Sequence, residues 1–442
     1  MDDDGERGSL AATSVPRPVV PTAAADTEHG PKPARALVAA TESTVVETAA
    51  VACGGAGAGP RAAAVVPATP KAAPATTSRS VQRKSRNPGG QCRNVFRETP
   101  GTLPTRIACI GAGWTVGERH LPSLQLDERV EVVGIVDPHP ERAAALARRF
   151  AVPNHATGLD APWLAEVEAA TVGVPPLAHA EVVEELLGRG IHVLCEKPLA
   201  FPAARAAALV EQAEAAGLVL AVVQNFQFSE AGRRLFELVD HGALGTPTAT
   251  YGFQLSNPAR RLPHWAPGLP GGLFLDETAH LLYLSRRVLG SLSLASVDAH
   301  VEGREIRHLT ARLAHEHIWS VLELNFTASL SEWQFVVVGD EATAAFDVFR
   351  DILVVLKNDG GHRGREVLRT SGAMLGEHLA GVVASGTRLL RRRLLYGNDE
   401  VVRRFVDAVR GDPSRLEGLE GARGVEVAAC LQDVLDRTGI PY

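Results

Sequence analysis

The alternation of apolar and polar positions changes character near residue 105. Before it, stretches such as "PVVPTAAADTEHGPKPARA" are rich in Ala, Pro, Thr and Gly and keep no period. Such a segment buries too little surface to offset chain entropy, so residues 1–104 are expected to be a disordered tail. From Arg106 onward, short apolar runs alternate with helix-like stretches. The runs are "RIACIGAG", "VEVVGIVD", "AATVGVPP", "IHVLCEKP" and "LVLAVVQN", and between them lie "PERAAALARRF", "LAHAEVVEELLGRG" and "PAARAAALVEQAEAAG". Near-continuous apolar strands separated by helices predict a parallel sheet covered on both faces. With right-handed crossovers this is an α/β, doubly wound, Rossmann-type domain over 105–225.

After Asn225 the rhythm shifts. One helix-like segment, "SEAGRRLFELVDHGALG", leads to "TPTATYGFQL", and then longer strands follow without helices between them: "LASVDAHVEG", "LTARLAHEHIWSVLELNFTA", "SEWQFVVVGDEATAAFDVF" and "DILVVLKN". Grouped strands predict a mostly antiparallel open sheet, hence an α+β second domain over 226–442. Two further helices are expected at "NDEVVRRFVDAVRG" and "EGARGVEVAACLQDVLDRTG".

Composition narrows the picture. The 442 residues carry 45 Lys and Arg against 51 Asp and Glu, a net charge of −6, which favours neither nucleic acid nor an acidic membrane as partner. No apolar run approaches the ~18 residues of a membrane span. The five cysteines (Cys53, Cys92, Cys109, Cys195 and Cys430) show neither a CxxC pair nor metal spacing. Reduced thiols in the cytoplasm, and no metal site, are the expectation. Lysine occurs only at positions 32, 71, 84, 197 and 357, so one at the end of an apolar strand points to a task that arginine does not perform.

Gly111, Ala112 and Gly113 follow the first strand and open a helix through Trp114, Thr115 and Val116. Glycines there let a turn close tightly and a backbone approach a pyrophosphate, so these six residues are candidate cofactor contacts. The third glycine position holds Val116, and Gly117 comes one residue late. Either Val116 stands in for a small residue, or the turn carries an extra one. Asp137, ending the second strand, either accepts a ribose hydroxyl or caps the helix that starts at Pro138. As a ribose acid it would repel a 2′-phosphate and favour NAD over NADP, a preference that Arg142 would soften. Ligands of open α/β sheets bind beyond the carboxyl ends of the strands, where Glu196, Lys197 and Gln224 sit. Lys197 is either a group aimed at a cofactor and substrate or half of a surface ion pair. In "GGLFLDETAHLLYL", Asp276 and His280 are four residues apart on one helical face, the arrangement of a histidine oriented by a carboxylate for proton transfer, or of a cap and a core histidine.

Together, the turn, Asp137, the "EKP" strand end and "GGLFLDETAH" resemble the glucose–fructose oxidoreductase, inositol dehydrogenase and MocA family. "VPPLAH", "HGALGTP" and "FVVVGDEATAAFDVF" add to the likeness, which runs from Arg106 to the C-terminus. The resemblance implies hydride transfer between NAD or NADP and a carbinol or ketone carbon of a sugar, nucleotide-sugar or cyclitol. It places the catalytic lysine on Lys197 and the paired acid and histidine on Asp276 and His280. His280 would be general acid/base, Asp276 would orient it or hold a substrate hydroxyl, and Lys197 would polarise the reacting oxygen. Pro175, Pro176 and His179 would line the cofactor cleft. Where many relatives read "N-x-R-F", this chain reads "NFQF" (Asn225 to Phe228), and Thr278 replaces a common glycine. Asn225, with Arg260, Arg261, His264 and Trp265 of the loop "NPARRLPHWAPGLPGG", is a candidate substrate contact, unless that loop is ordinary surface. In this family subunits often cover the open sheet with each other, so a homo-oligomer, dimer or tetramer, is expected. Two alternatives stay open: a glycoside hydrolase or lyase using NAD transiently, and a non-catalytic dinucleotide-binding relative.

Overall fold

The computed structural model describes residues 103–260 and 262–442, so the tail expected over 1–104, but for its last two residues, lies outside the described residues, as does Arg261. Six strands, β1 (Thr105–Ile110), β2 (Val130–Val136), β3 (Asn154–Ala156), β4 (Ala169–Val172), β5 (His192–Cys195) and β6 (Leu220–Val222), pair in parallel in the order β3-β2-β1-β4-β5-β6. Four helices alternate with them: α1 (Leu121–Leu124), α2 (Pro140–Phe150), α3 (His179–Gly188) and α4 (Ala203–Ala216). β4 is buried at every position, the pattern expected when both faces of a parallel sheet are covered. The order reverses between β1 and β4, so the carboxyl ends of these two strands form the topological switch point where such sheets hold ligands.

The second sheet has seven strands: β7 (Pro247–Leu255), β8 (Ser293–Glu302), β9 (Glu305–His315), β10 (Ile318–Asn325), β11 (Glu332–Gly339), β12 (Ala342–Asp347) and β13 (Ile352–Lys357). Their order is β13-β12-β11-β7-β10-β9-β8, antiparallel except where β7 meets β10. The run "LTARLAHEHIWSVLELNFTA" folds back at Glu316, whose φ of +52° makes the turn between β9 and β10. On one face, α5 (Glu230–Asp240) and α6 (Leu273–Leu289) build a core in which Leu281, Leu322, Phe335 and Phe346 are buried. A Cβ on Gly252 would lie 2.7 Å from Leu322 Cδ2 of β10 and 3.1 Å from Leu281 Cδ1 of α6, so the bare backbone of β7 makes room for both side chains.

The opposite face exposes Tyr251, Phe253 and Trp319. Along β13 lies α7 (Gly364–Leu390), 27 residues long, which the hydrophobic pattern did not announce. Five glycines weaken its helical signal, but one is structural: a Cβ on Gly381 would meet Ile352 at 2.6 Å. The last two helices, α8 (Asn398–Val409) and α9 (Gly421–Thr438), follow the second sheet in sequence. Yet α8 packs on the first sheet's side, and α9 lies between α4 of the first and α6 and β8 of the second, with Val427, Leu431 and Leu435 in the second core. Val401, Phe405 and Val406 join the core beside α1 and α2, and Ala428 joins the core beside α3 and α4.

Candidate functional site

The site starts where β1 breaks. Gly111 has φ +102°, and a Cβ on it would sit 2.6 Å from the Gly173 carbonyl oxygen, so only glycine fits where β1 and β4 end together. Ala112 N–H donates to Asp137 Oδ2 (2.8 Å), and His139 N–H donates to Oδ1 (2.9 Å). Asp137, buried at the end of β2, therefore holds the turn and also caps the approach to α2. A Cβ on Gly113 would find nothing nearer than the Gly173 oxygen at 4.0 Å, so the turn leaves a bare, open cradle on that side.

The chain becomes helical at Trp114 and passes through one π-helical turn, Val116–His120, before α1. That inserted residue answers the spacing of the glycines in two ways. Val116 is fully buried and fills the space that a Gly173 side chain would take, 2.6 Å from Cγ2. Gly117, one residue late, gives the close packing, since a Cβ there would lie 3.1 Å from Leu146 Cδ1 of α2. Trp114 stays exposed with the Arg119 guanidinium 4.7 Å over its ring, and Arg119 also lies 5.1 Å from the Tyr396 ring.

At the end of β5, Glu196 N–H donates to Val172 O (2.9 Å), and Lys197 follows with a cis bond to Pro198. His179 is 1% exposed and holds the carbonyls of Pro198 (Nδ1, 2.7 Å) and Val174 (Nε2, 3.1 Å). Its ring lies between two strand-end loops, and because burial lowers its affinity for a proton, the neutral imidazole donates to one of the two carbonyls. Pro175 is exposed, while Pro176 and Gln224 are buried. The Glu196 carboxylate reaches back to His120: Nε2 and Oε1 are 3.0 Å apart, and the Lys197 N–H approaches Oε2 at 3.3 Å. Burial opposes ionisation of Glu196, but the His120 hydrogen bond and the Lys197 charge outweigh it and hold the carboxyl below its usual range.

The second sheet's helix α6 supplies the facing groups. Gly271 and Gly272, both at positive φ, turn the chain into the helix, whose first turn carries Asp276. The Lys197 ammonium donates to the Asp276 carboxylate and to its backbone carbonyl (3.1 Å). One turn on, His280 is buried with Nδ1 3.0 Å from the Tyr283 hydroxyl, which also accepts the Phe226 N–H at 3.0 Å. The orienting partner of His280 is thus Tyr283, because Asp276 is turned to Lys197. The rings of Phe226 and Trp333 lie 4.7 and 5.2 Å from the imidazole. This apolar wall, and then the Lys197 charge, push the His280 pKa well below 6.5, so the ring is neutral at pH 7.

Around this centre the expected substrate contacts divide. Arg260 pairs with the buried Glu277, whose Oε2 also accepts from Gln254 (2.6 Å) and Ser256 (2.9 Å). One arm of the Arg260 guanidinium is thus held by the protein, while its Nε is buried without a partner. His264 is exposed, and Trp265 is half-buried against the second core. Asn225 donates to Tyr396 O (3.0 Å), while Gln227, where many relatives carry a basic residue, is buried and donates to Gln224 O (3.1 Å) and Gly418 O (2.8 Å). Sequence reasoning missed His120, Glu277 and Tyr283. Only Glu277, an acid within an apolar helix, left a local signal. Among the described residues no cluster of His, Cys, Asp or Glu is arranged to hold a metal, and no helix is long and apolar enough to cross a membrane.

Comparison with known proteins agrees with this geometry. The oxidoreductase family with an NAD-binding Rossmann fold matches residues 105–224. The chain is 31% identical over 211 residues to a dTDP-3,4-didehydro-2,6-dideoxy-alpha-D-glucose 3-reductase of Streptomyces violaceoruber, covering 47% of this chain and 59% of the relative. It is 31% identical over 206 residues to a D-glucoside 3-dehydrogenase of Escherichia coli K12, covering 45% and 57%. The chain thus spans little more than half the length of these curated relatives. A levoglucosan dehydrogenase, solved with NADH and L-sorbose, superposes with a TM-score of 0.60 at 18% identity, over 77% of this chain and all of that one. With the Rossmann sheet and the glycine turn in place, residues 105–224 belong with the NAD-binding domain of the Gfo/Idh/MocA oxidoreductases, and the remainder of the chain shares their two-sheet fold.

Proposed function

We propose that this protein is an NAD(P)-dependent oxidoreductase that transfers a hydride between a nicotinamide and a hydroxyl or ketone carbon of a sugar, nucleotide-sugar or cyclitol. The observation that carries the reading is the pairing of Lys197, from the end of β5, with Asp276, one helical turn before a neutral, buried His280. The names of the relatives support it, since they are sugar reductases and dehydrogenases.

The bare face of Gly113 and the carboxyl ends of β1 and β4 fit a dinucleotide, with the turn Gly111 to Val116 and Asp137 as its holders. NAD is favoured, because each oxygen of Asp137 keeps a lone pair for a ribose hydroxyl after its one backbone bond. The bound nicotinamide supplies the hydride acceptor or donor. His280 handles the substrate proton at Nε2, accepting it from a carbinol or returning it to an alkoxide. Its Nδ1 bond to Tyr283 serves either tautomer, because a phenol both donates and accepts. The Lys197 ammonium donates to the reacting oxygen and stabilises the negative charge that develops there, and Asp276 fixes the ammonium's direction. The working division is a dinucleotide-binding domain over 105–225 and a substrate and oligomerisation domain over 226–442, with the apolar outer face of the second sheet joining copies of the chain.

A panel of sugars and cyclitols, offered with NAD and NADP and followed at the NADH absorbance, tests this. Lys197→Ala is expected to lower kcat by roughly 10³-fold while dinucleotide affinity stays within a fewfold. Near-normal turnover of that variant would refute the assignment. Consumption of a glycoside with no net NADH would instead point to transient oxidation.

A further inference from the structure

His120 lies outside the reacting group, yet it is 1% exposed and is placed by an unusual device, the π turn Val116–His120. Without the extra residue of that turn, the ring would face another direction. As built, Nε2 meets Glu196 Oε1 at 3.0 Å, while Nδ1 is buried with no partner. A Cβ on Gly173 would come within 3.5 Å of the His120 ring, so the imidazole fills the floor between the ends of β4 and β5.

We infer that His120 is a positioning residue for Lys197, acting through Glu196, and that it couples the glycine turn to the reacting amine. This rests on the function proposed above. The chain of contacts is continuous: His120 to Glu196 Oε1, Glu196 Oε2 to the Lys197 N–H, and the Lys197 ammonium to Asp276. Each link is buried or half-buried, where a carboxylate without a donor is costly and finds another geometry. Removing the imidazole leaves the Glu196 oxygen without its donor and frees the backbone at Lys197. A displacement of about 1 Å is enough to cost a large factor in rate. Because His120 ends the segment that begins at the glycine turn, the dinucleotide cradle and the lysine are held as one unit.

Three variants test this: His120→Ala, His120→Gln, whose side-chain amide can donate from near the position of Nε2, and the isosteric Glu196→Gln. Steady-state kinetics on the full chain should show kcat for His120→Ala reduced roughly 10- to 100-fold. The KM for dinucleotide should change by less than about threefold, and His120→Gln should recover most of the loss. A second readout needs no substrate: acetylation of Lys197 by acetic anhydride, measured by mass spectrometry against Lys357. Weakening the Glu196 link loosens the Lys197 segment and opens the amine to the reagent, so Glu196→Gln should raise that ratio about threefold or more. The inference falls if folded His120→Ala keeps kcat within twofold of the parent, or if His120→Gln is as impaired as His120→Ala. It falls equally if the acetylation ratio is unchanged in Glu196→Gln, the readout that decides should His120→Ala not fold. If no sugar is turned over by the parent chain, the functional reading fails while the acetylation ratio still decides the coupling.

Discussion

At the scale of single residues, His280 concentrates the pH behaviour. Burial and the nearby ammonium depress its pKa, so native protein binds fewer protons there than the unfolded chain does once the pH drops below about 6.5. The stabilising contribution is complete above that value and is lost as the pH falls toward the depressed native pKa. Urea unfolding between pH 7.5 and 5.5 should show stability declining, with His280→Asn flattening the slope by up to about 1.4 kcal/mol per pH unit. An unchanged slope would mean that the ring titrates normally. Lys197, Asp276 and His280 were legible because each lies in a local pattern, a strand end or a helical spacing. Tyr283 and His120 were not. His120 meets Glu196 across 76 residues of chain, and only folding brings them together.

Among elements, the glycine turn depends on a fit between neighbours that no motif records. Val116 is tolerated at the third position because residue 173 has no side chain. Gly173→Ala should therefore destabilise by about 1–3 kcal/mol through overpacking. Adding Val116→Ala should return part of that, a coupling that a double-mutant cycle of melting temperatures would expose. Strict additivity would show that the contact is not the cause. Strands and helices of the parallel sheet were readable from their apolar runs, since both faces of that sheet are covered. α7 was not, because its glycines dilute the helical period and Ser385 is its one buried residue. The hairpins hidden in the long runs after residue 305 turn at polar residues that also suit strand surfaces.

For the molecule as a whole, the outer face of the second sheet is the feature that asks for a partner. Tyr251, Phe253 and Trp319 stand exposed on adjacent strands, with the apolar side of α7 exposing Leu375, Leu379 and Val383. Large apolar side chains exposed in groups are a mark of surfaces that another molecule covers. Light scattering on the purified chain should give the mass of a dimer or tetramer, and Tyr251→Glu with Phe253→Glu should lower it. A monomeric parent would contradict the proposed oligomer. The two-sheet plan was visible in the sequence from the change of rhythm after Asn225. The return of α8 and α9 was not, since an amphipathic helix carries no mark of which surface it will cover.

That return has an outcome during synthesis. Val401, Phe405 and Ala428 seal both sides of a sheet whose first strand was made some 300 residues earlier. The parallel-sheet half therefore leaves the ribosome with its hydrophobic flanks unroofed, and it is closed only once α8 and α9 have emerged. A stalled or clipped product ending before Asn398 would keep every group of the proposed chemistry and still be prey for proteases.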